Sequence, residues 1–351
     1  MIMIGKEWKT IVRLFTLPAV MVIALGGMIF WYDGVALAAE QVLDPDKVMT
    51  TVAKAHPIEP LLLPGEDSRF PTTYREETKE LAVTARQIYQ GFLILVNYEY
   101  LLPEDFLPEE LTVVNDMADE AGESQFRVNK VRLQVNKTVA EQLLAMVRYA
   151  YEKDGITGYL LQSGHRDFSY QKALYHKKVQ YYKDLGYGDS DAATAAAVWV
   201  ARPFESEHHT GLAMDVSSRS HPGLQTSYYQ TDNGHWLDEN CWRFGFVVRY
   251  PEAKTEITKI GYEPWHLRYV GRPHSDYIRQ QDWCLEEYYD FLYRERGYTF
   301  RDEEGDIWQV DYQPLGSGTI KVPAHRPYTI SGDGSKGFVI TTLLESVSAV
   351  H

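Results

Sequence analysis

Cysteine is nearly missing from this 351-residue chain, and the two present, Cys241 and Cys284, form no CxxC pair. That excludes a thiolate metal site and a disulfide framework. One bridge between them is compatible with an exported protein, but spacing alone does not supply the geometry; two buried free thiols are the simpler expectation. Positive charge is also short, with 35 Lys and Arg against 49 Asp and Glu and a net charge of -14. A nucleic-acid partner, which needs clustered basic residues, is excluded on that count. There is no internal repeat, and a long uncharged run occurs in one place, residues 14–32.

What is present is ordinary globular material, 44% hydrophobic and 24% charged, with an unusual supply of tyrosine, 25 in all. Tyrosine has a flat apolar body and a polar tip, which suits polar peptide or sugar-bearing ligands, although most of these rings are expected to fill core and surface.

The uncharged run is preceded by Lys6, Lys9 and Arg13. Its 19 residues are about what spans a bilayer and exceed a usual signal-peptide core. Ala36-Leu37-Ala38 has the small-x-small form of a signal-peptidase site, so residues 1–39 read as a membrane anchor or a cleaved signal. With the positive charges held inside, either reading exports the rest of the chain. Residues 40–75 carry five prolines and read as a semi-rigid stalk. Residues 76–297 form the main domain and 298–351 a small β-rich appendage.

Within the main domain a helix is expected from Glu76 through Ile88. Another starts with a Thr138–Glu141 capping box and ends at Asp154-Gly155. Residues 158–162 read as a strand, 169–185 as a helix stopped by Gly186, and 191–200 as an Ala-rich helix. Strands are expected at 212–216, 246–249 and 267–270, and helices at 236–244 and 285–296. Helices and strands are interspersed without regular alternation, so the fold class is α+β.

Three segments carry chemistry: Ser163-Gly164-His165-Arg166, then the run from Ser206 through His208, His209 and Gly211 to Asp215, then Glu263-Pro264-Trp265-His266. Imidazole and carboxylate are both zinc donors at about 2 Å. Seven residues separate His208 from Asp215, a rise of ~10 Å in a helix or ~23 Å in a strand, so the chain must turn between them. Thr210-Gly211 is where it can, with His209 directed elsewhere. Pro264 keeps Glu263 out of helical geometry. An extended or turned segment would then face His266 to the metal and let Glu263 reach a water in the open fourth position, with Trp265 as a wall. Arg166, after a strand and a glycine, could pair with a terminal carboxylate. Read singly, each segment is as compatible with a solvated His pair, a satisfied core His or a surface Arg.

Together and in this order, the three segments resemble the VanY-type D-alanyl-D-alanine carboxypeptidases, over residues 99–296. The resemblance implies one zinc ion per chain held by His208, Asp215 and His266, with Glu263 as general base and Arg166 assisting the substrate. It places Ser206 and Gln171 near the peptide. It implies peptidoglycan stem peptides ending in D-Ala-D-Ala as substrate, on a small antiparallel sheet flanked by helices. His165 stands where the family has Tyr, and His209 where Gln is common; neither is a ligand position. Two rivals remain: an L,D-carboxypeptidase acting on tetrapeptide stems, and a silent zinc-stabilised wall-binding module. Glu263 argues against the second, since a structural site has no use for a base.

Overall fold

The computed structural model describes residues 77–347 apart from 124, 130, 131 and 317, together with a two-residue strand pair at Ala24–Leu25 and Met28–Ile29. The rest of the expected anchor or signal segment, and the stalk, lie outside the described residues. Among the described residues no helix is long and apolar enough to cross a membrane.

The first strand after that pair, β1 (Thr78–Ala82), corrects the expectation of a helix from Glu76 to Ile88. A short 3-10 turn, Ala85–Tyr89, follows it. β2 (Leu111–Val113) leads straight into α1 (Val114–Glu120), and β3 (Phe126–Val128) and β4 (Gln134–Asn136) follow. The long helix α2 (Lys137–Asp154) buries Val139, Leu143, Leu144, Val147 and Ala150 at the expected spacing. Its cap is Asn136, whose side chain accepts from the Thr138 N–H, rather than the expected Thr138. Gly155, with φ of 67°, closes it in the left-handed conformation.

Five strands form the central sheet: β3, β5 (Tyr159–Ser163), β6 (Ala213–Ser218), β7 (Phe246–Tyr250) and β8 (Glu263–Tyr269). Their spatial order is β3-β5-β6-β8-β7, with β3 and β5 parallel and every other neighbour antiparallel. All residues of β6 and β8 are buried. Both faces are therefore covered, one by α2, whose apolar stripe joins Leu161, Met214, Val216 and Leu267 in one core. Between β5 and β6 run α3 (Phe168–Asp184) and α4 (Asp189–Ala197); α5 (Asp232–Asn240) precedes β7.

After β8 come α6 (His274–Gln281) and α7 (Leu285–Glu295). Beyond them lie β9 (Gly297–Arg301), β10 (Ile307–Pro314), β11 (Thr319–Pro323), β12 (Tyr328–Gly332) and β13 (Gly337–Glu345). β9, β10, β13 and β12 form an antiparallel sheet, while β11 pairs with β1. These strands are not set apart from the rest: Tyr298, Val310 and Val339 share a core with Leu93, Leu95, Tyr277, Tyr288 and Leu292. Cys241 and Cys284 are both buried free thiols.

Candidate active site

Register builds the centre of the site. Asp215 of β6 lies directly opposite His266 of β8, and on its other side opposite Ser163 of β5. Residues facing each other across antiparallel strands have neighbouring side chains, so one carboxylate and one imidazole meet without any loop. His208 arrives from a 3-10 turn, Glu207–Thr210, closed by Gly211 at φ of 74°. That left-handed turn, which favours glycine, folds the chain back into β6. Glu263 needs a different device. Three residues apart on a regular strand, Glu263 and His266 would face opposite ways. The pairing of β8 with β7 shifts between Glu263 and Leu267, and this bulge brings Glu263 Oε2 to 3.4 Å from His266 Nδ1.

His208 Nδ1 donates to the Gly164 carbonyl at 2.7 Å, which fixes the tautomer and leaves Nε2 as the lone pair. That Nε2 is buried, lacks a hydrogen-bond partner and lies 3.5 Å from Asp215 Oδ2. His266 Nδ1 is 3.3 Å from Asp215 Oδ1. A tetrahedral ion with bonds of about 2 Å spaces its ligands by roughly 3.3 Å, so these donors fit one zinc ion. Burial, reinforced by Arg166, lowers His208 to about 4, keeping it neutral and able to ligate. Burial would lower His266 as well, but the carboxylates of Asp215, Glu207 and Glu263 outweigh it and push it up to about 10. Such proton affinity marks a pocket with surplus negative charge, the condition a divalent cation relieves. Burial raises Glu263, opposed by His266. It would raise Asp215 too, yet His208 and Arg166 hold that carboxyl well below its ordinary value.

Arg166 spends one N–H on Ser163 Oγ (2.9 Å), one on Gln171 Oε1 (3.2 Å) and one on Asp215 Oδ2 (2.6 Å). A guanidinium has five, so two remain, and the side chain is 15% exposed at the cleft. The cleft holds about 720 Å³ and includes Ser206, Tyr250 and Trp265 in its walls.

The model of the family described as D-alanyl-D-alanine carboxypeptidase matches residues 132–272. A D-alanyl-D-alanine carboxypeptidase of Enterococcus faecium is 33% identical over 268 residues, covering 76% of this chain and 80% of that one. This chain belongs to the VanY family. The putative carboxypeptidase YodJ of Bacillus subtilis (strain 168) is 38% identical over 204 residues, 57% of this chain and 68% of its own. Among solved structures, the vancomycin-resistance D,D-dipeptidase VanXYg, in complex with a D-Ala-D-Ala phosphinate analog, superposes with a TM-score of 0.60 at 28% identity. It covers 76% of this chain and 98% of that one. As a VanY enzyme the chain is a zinc-dependent metallo-carboxypeptidase, and its α+β architecture is that of the VanY and VanX peptidases.

For this VanY enzyme the structure brings His208, Asp215, His266, Glu263, Arg166 and Ser206 to one cleft. Gln171 lines the same cleft; its side chain is buried, accepting from Arg166 and donating to the Ala201 carbonyl at 2.7 Å, which positions the arginine. His209 turns away as expected: its Nδ1 donates to the Arg166 carbonyl (2.7 Å) and its ring packs on Phe168.

The sequence reading missed Glu207. Its Oε2 lies 3.7 Å from His266 Nε2, and both atoms are otherwise without hydrogen-bond partners. Its Oε1 accepts from Arg249 Nε (2.8 Å) and Arg268 Nη1 (2.7 Å). Burial would raise Glu207, but these two guanidiniums hold it well below its usual range. An ionised carboxylate behind a ligating histidine orients the ring and raises its basicity. Arg249 continues to Glu286 on α7 through two hydrogen bonds, and Arg268 to the carbonyls of Phe92 and Ile94. A signal was available: Arg249 and Arg268 stand in strands whose other residues are mostly apolar or aromatic. Buried arginine requires a buried counter-charge. Tyr250, whose ring meets His266 edge-on at 4.8 Å, left no such signal.

Proposed function

We propose that this VanY enzyme is a D,D-carboxypeptidase acting outside the cytoplasm on peptidoglycan stem peptides, held at the membrane by residues 1–39 or released if that segment is cleaved. The observation that carries the reading is the convergence of three zinc donors, a non-ligating carboxylate and an arginine with N–H groups to spare on one cleft. His208, Asp215 and His266 would hold the zinc ion, which would supply Lewis acidity toward a carbonyl and a water. Glu263, aimed into the same space by the β8 bulge, takes the proton from the attacking water and delivers it to the leaving amine. Arg166, braced by Ser163 and Gln171, directs its remaining N–H groups to the substrate's terminal carboxylate or the developing oxyanion.

The deciding experiment incubates the chain from about Asp44 onward with pentapeptide and tetrapeptide stems and identifies the released amino acid. D-alanine from the pentapeptide alone supports the reading. Release from the tetrapeptide alone makes the enzyme an L,D-carboxypeptidase, and zinc retention without release makes it a silent module. A reporter fused after Tyr74 that is active only outside the cytoplasm supports the topology; activity only inside refutes it.

A further inference from the structure

The cleft extends along one face of α3, where Gln171, Leu174, Lys177, Lys178 and Tyr181 line it. Their spacing is the stripe that one side of a helix presents. Charge within the cleft is unevenly placed. Its carboxylates are Asp215 and Glu263, both at the metal centre, and apart from Arg166 its cations are Lys177 and Lys178. In a chain of net charge -14 this outer stretch is a local reversal of sign. Among the described residues neither lysine is ion-paired, whereas Lys183 on the same helix pairs with Asp189 at 2.9 Å. Lys178 is half-buried, with its ammonium 5.3 Å and 5.7 Å from the ring centroids of Tyr181 and Tyr182. Aromatic faces thus hold the charge in place without neutralising it.

The spacing suggests what the charge meets. Gln171 touches Arg166, and Lys178 lies seven residues further along α3, about 10 Å of helix. An extended peptide covers that distance in about three residues. An enzyme that removes one C-terminal residue has the rest of its substrate on the other side of the scissile bond, so this arm receives upstream residues.

We propose that Lys177 and Lys178 form a subsite for a free carboxylate about three residues before the substrate's terminus, making the enzyme selective for acidic over amidated peptides. The inference rests on the D,D-carboxypeptidase reading above. In a stem peptide the group within that range is the carboxylate left free by a γ-linked glutamate. Its amide, isoglutamine, has the same shape without the charge.

The test compares two synthetic stem pentapeptides, one with γ-linked glutamate and one with isoglutamine, on wild type and on the double variant Lys177→Gln/Lys178→Gln. The wild type is expected to favour the acid peptide by about fivefold or more in kcat/KM, mainly through KM. That preference shrinks at roughly 0.5 M salt, and the double variant brings the ratio to about one. A wild-type ratio near one, or a ratio unchanged in the variant, overturns the subsite. Wild type that releases D-alanine from neither peptide would defeat the D,D reading instead. The subsite is then judged by equilibrium binding of the same two peptides, with the same ratios deciding it.

Discussion

Among the described residues, three potential cation ligands gather within 4.8 Å at two places, and the two clusters are resolved in opposite ways. Near the C-terminal sheet, Asp276, Asp302 and Glu304 surround the guanidinium of Arg272, which lies 3.3 Å from Asp302, 3.6 Å from Asp276 and in contact with Glu304. That cluster carries its cation as part of the chain. In the cleft, His208, Asp215 and His266 are touched by Arg166 from one side only, through Asp215, and the two imidazoles present nitrogen rather than carboxylate. Nitrogen donors with one carboxylate suit zinc, whereas an all-oxygen set suits a harder ion or a guanidinium. Proximity of acids therefore does not make a metal centre. What decides is the donor chemistry and whether the protein's own charge already fills the middle.

The comparison breaks most visibly at the ligands. His208→Ala, Asp215→Ala or His266→Ala should each take bound zinc from about one per chain to near none and abolish turnover, read by elemental analysis beside peptide release. A zinc-replete, active variant would remove that residue from the ligand set. Glu263→Gln separates ligation from proton transfer: zinc stays, while turnover falls by roughly 10²–10⁴-fold, because the amide cannot accept the proton. Loss of zinc would instead make Glu263 a ligand. Glu207→Gln tests the support behind His266. Zinc affinity, measured by competition with a chelator, should weaken by roughly 10–100-fold, and Tm should fall because Arg249 and Arg268 lose a buried counter-charge. Unchanged affinity would reduce Glu207 to a packing role. The smallest effect belongs to the second cluster. Arg272→Gln should leave zinc content and turnover intact and cost about 1–2 kcal/mol in chemical denaturation. A fall in bound zinc there would show the clusters to be coupled.

Much of the site was legible because its chemistry is written in short segments. His208, Gly211 and Asp215 lie within one run, and the need for a turn between them follows from the reach of regular backbone. The facing of Asp215 with His266 was not legible, since strand register depends on partners far apart in sequence. The bracing of Arg166 by Gln171 was not legible for a related reason: its bonds to Arg166 and to the Ala201 carbonyl tie together separate stretches of the chain. In the fold, residues 76–88 have the composition of a helix. β1 is a strand because β11 supplies its hydrogen bonds, a tertiary preference that overrides the local one. The Asn136 cap was hidden by the more familiar Thr138–Glu141 spacing beside it.

The pairing of β1 with β11 also orders events in time. β1, which precedes the central sheet, finds its partner only after the whole metal-bearing sheet has been synthesised. On a chain made from its N-terminus, the last strands are therefore a closing clasp, and the enzyme cannot finish folding while its C-terminal strands are still being made. A nascent or truncated chain lacking β11 would expose the open edge of β1 and the unfinished core around Tyr288 and Leu292. What looks like an appendage along the sequence is a completion step for the domain.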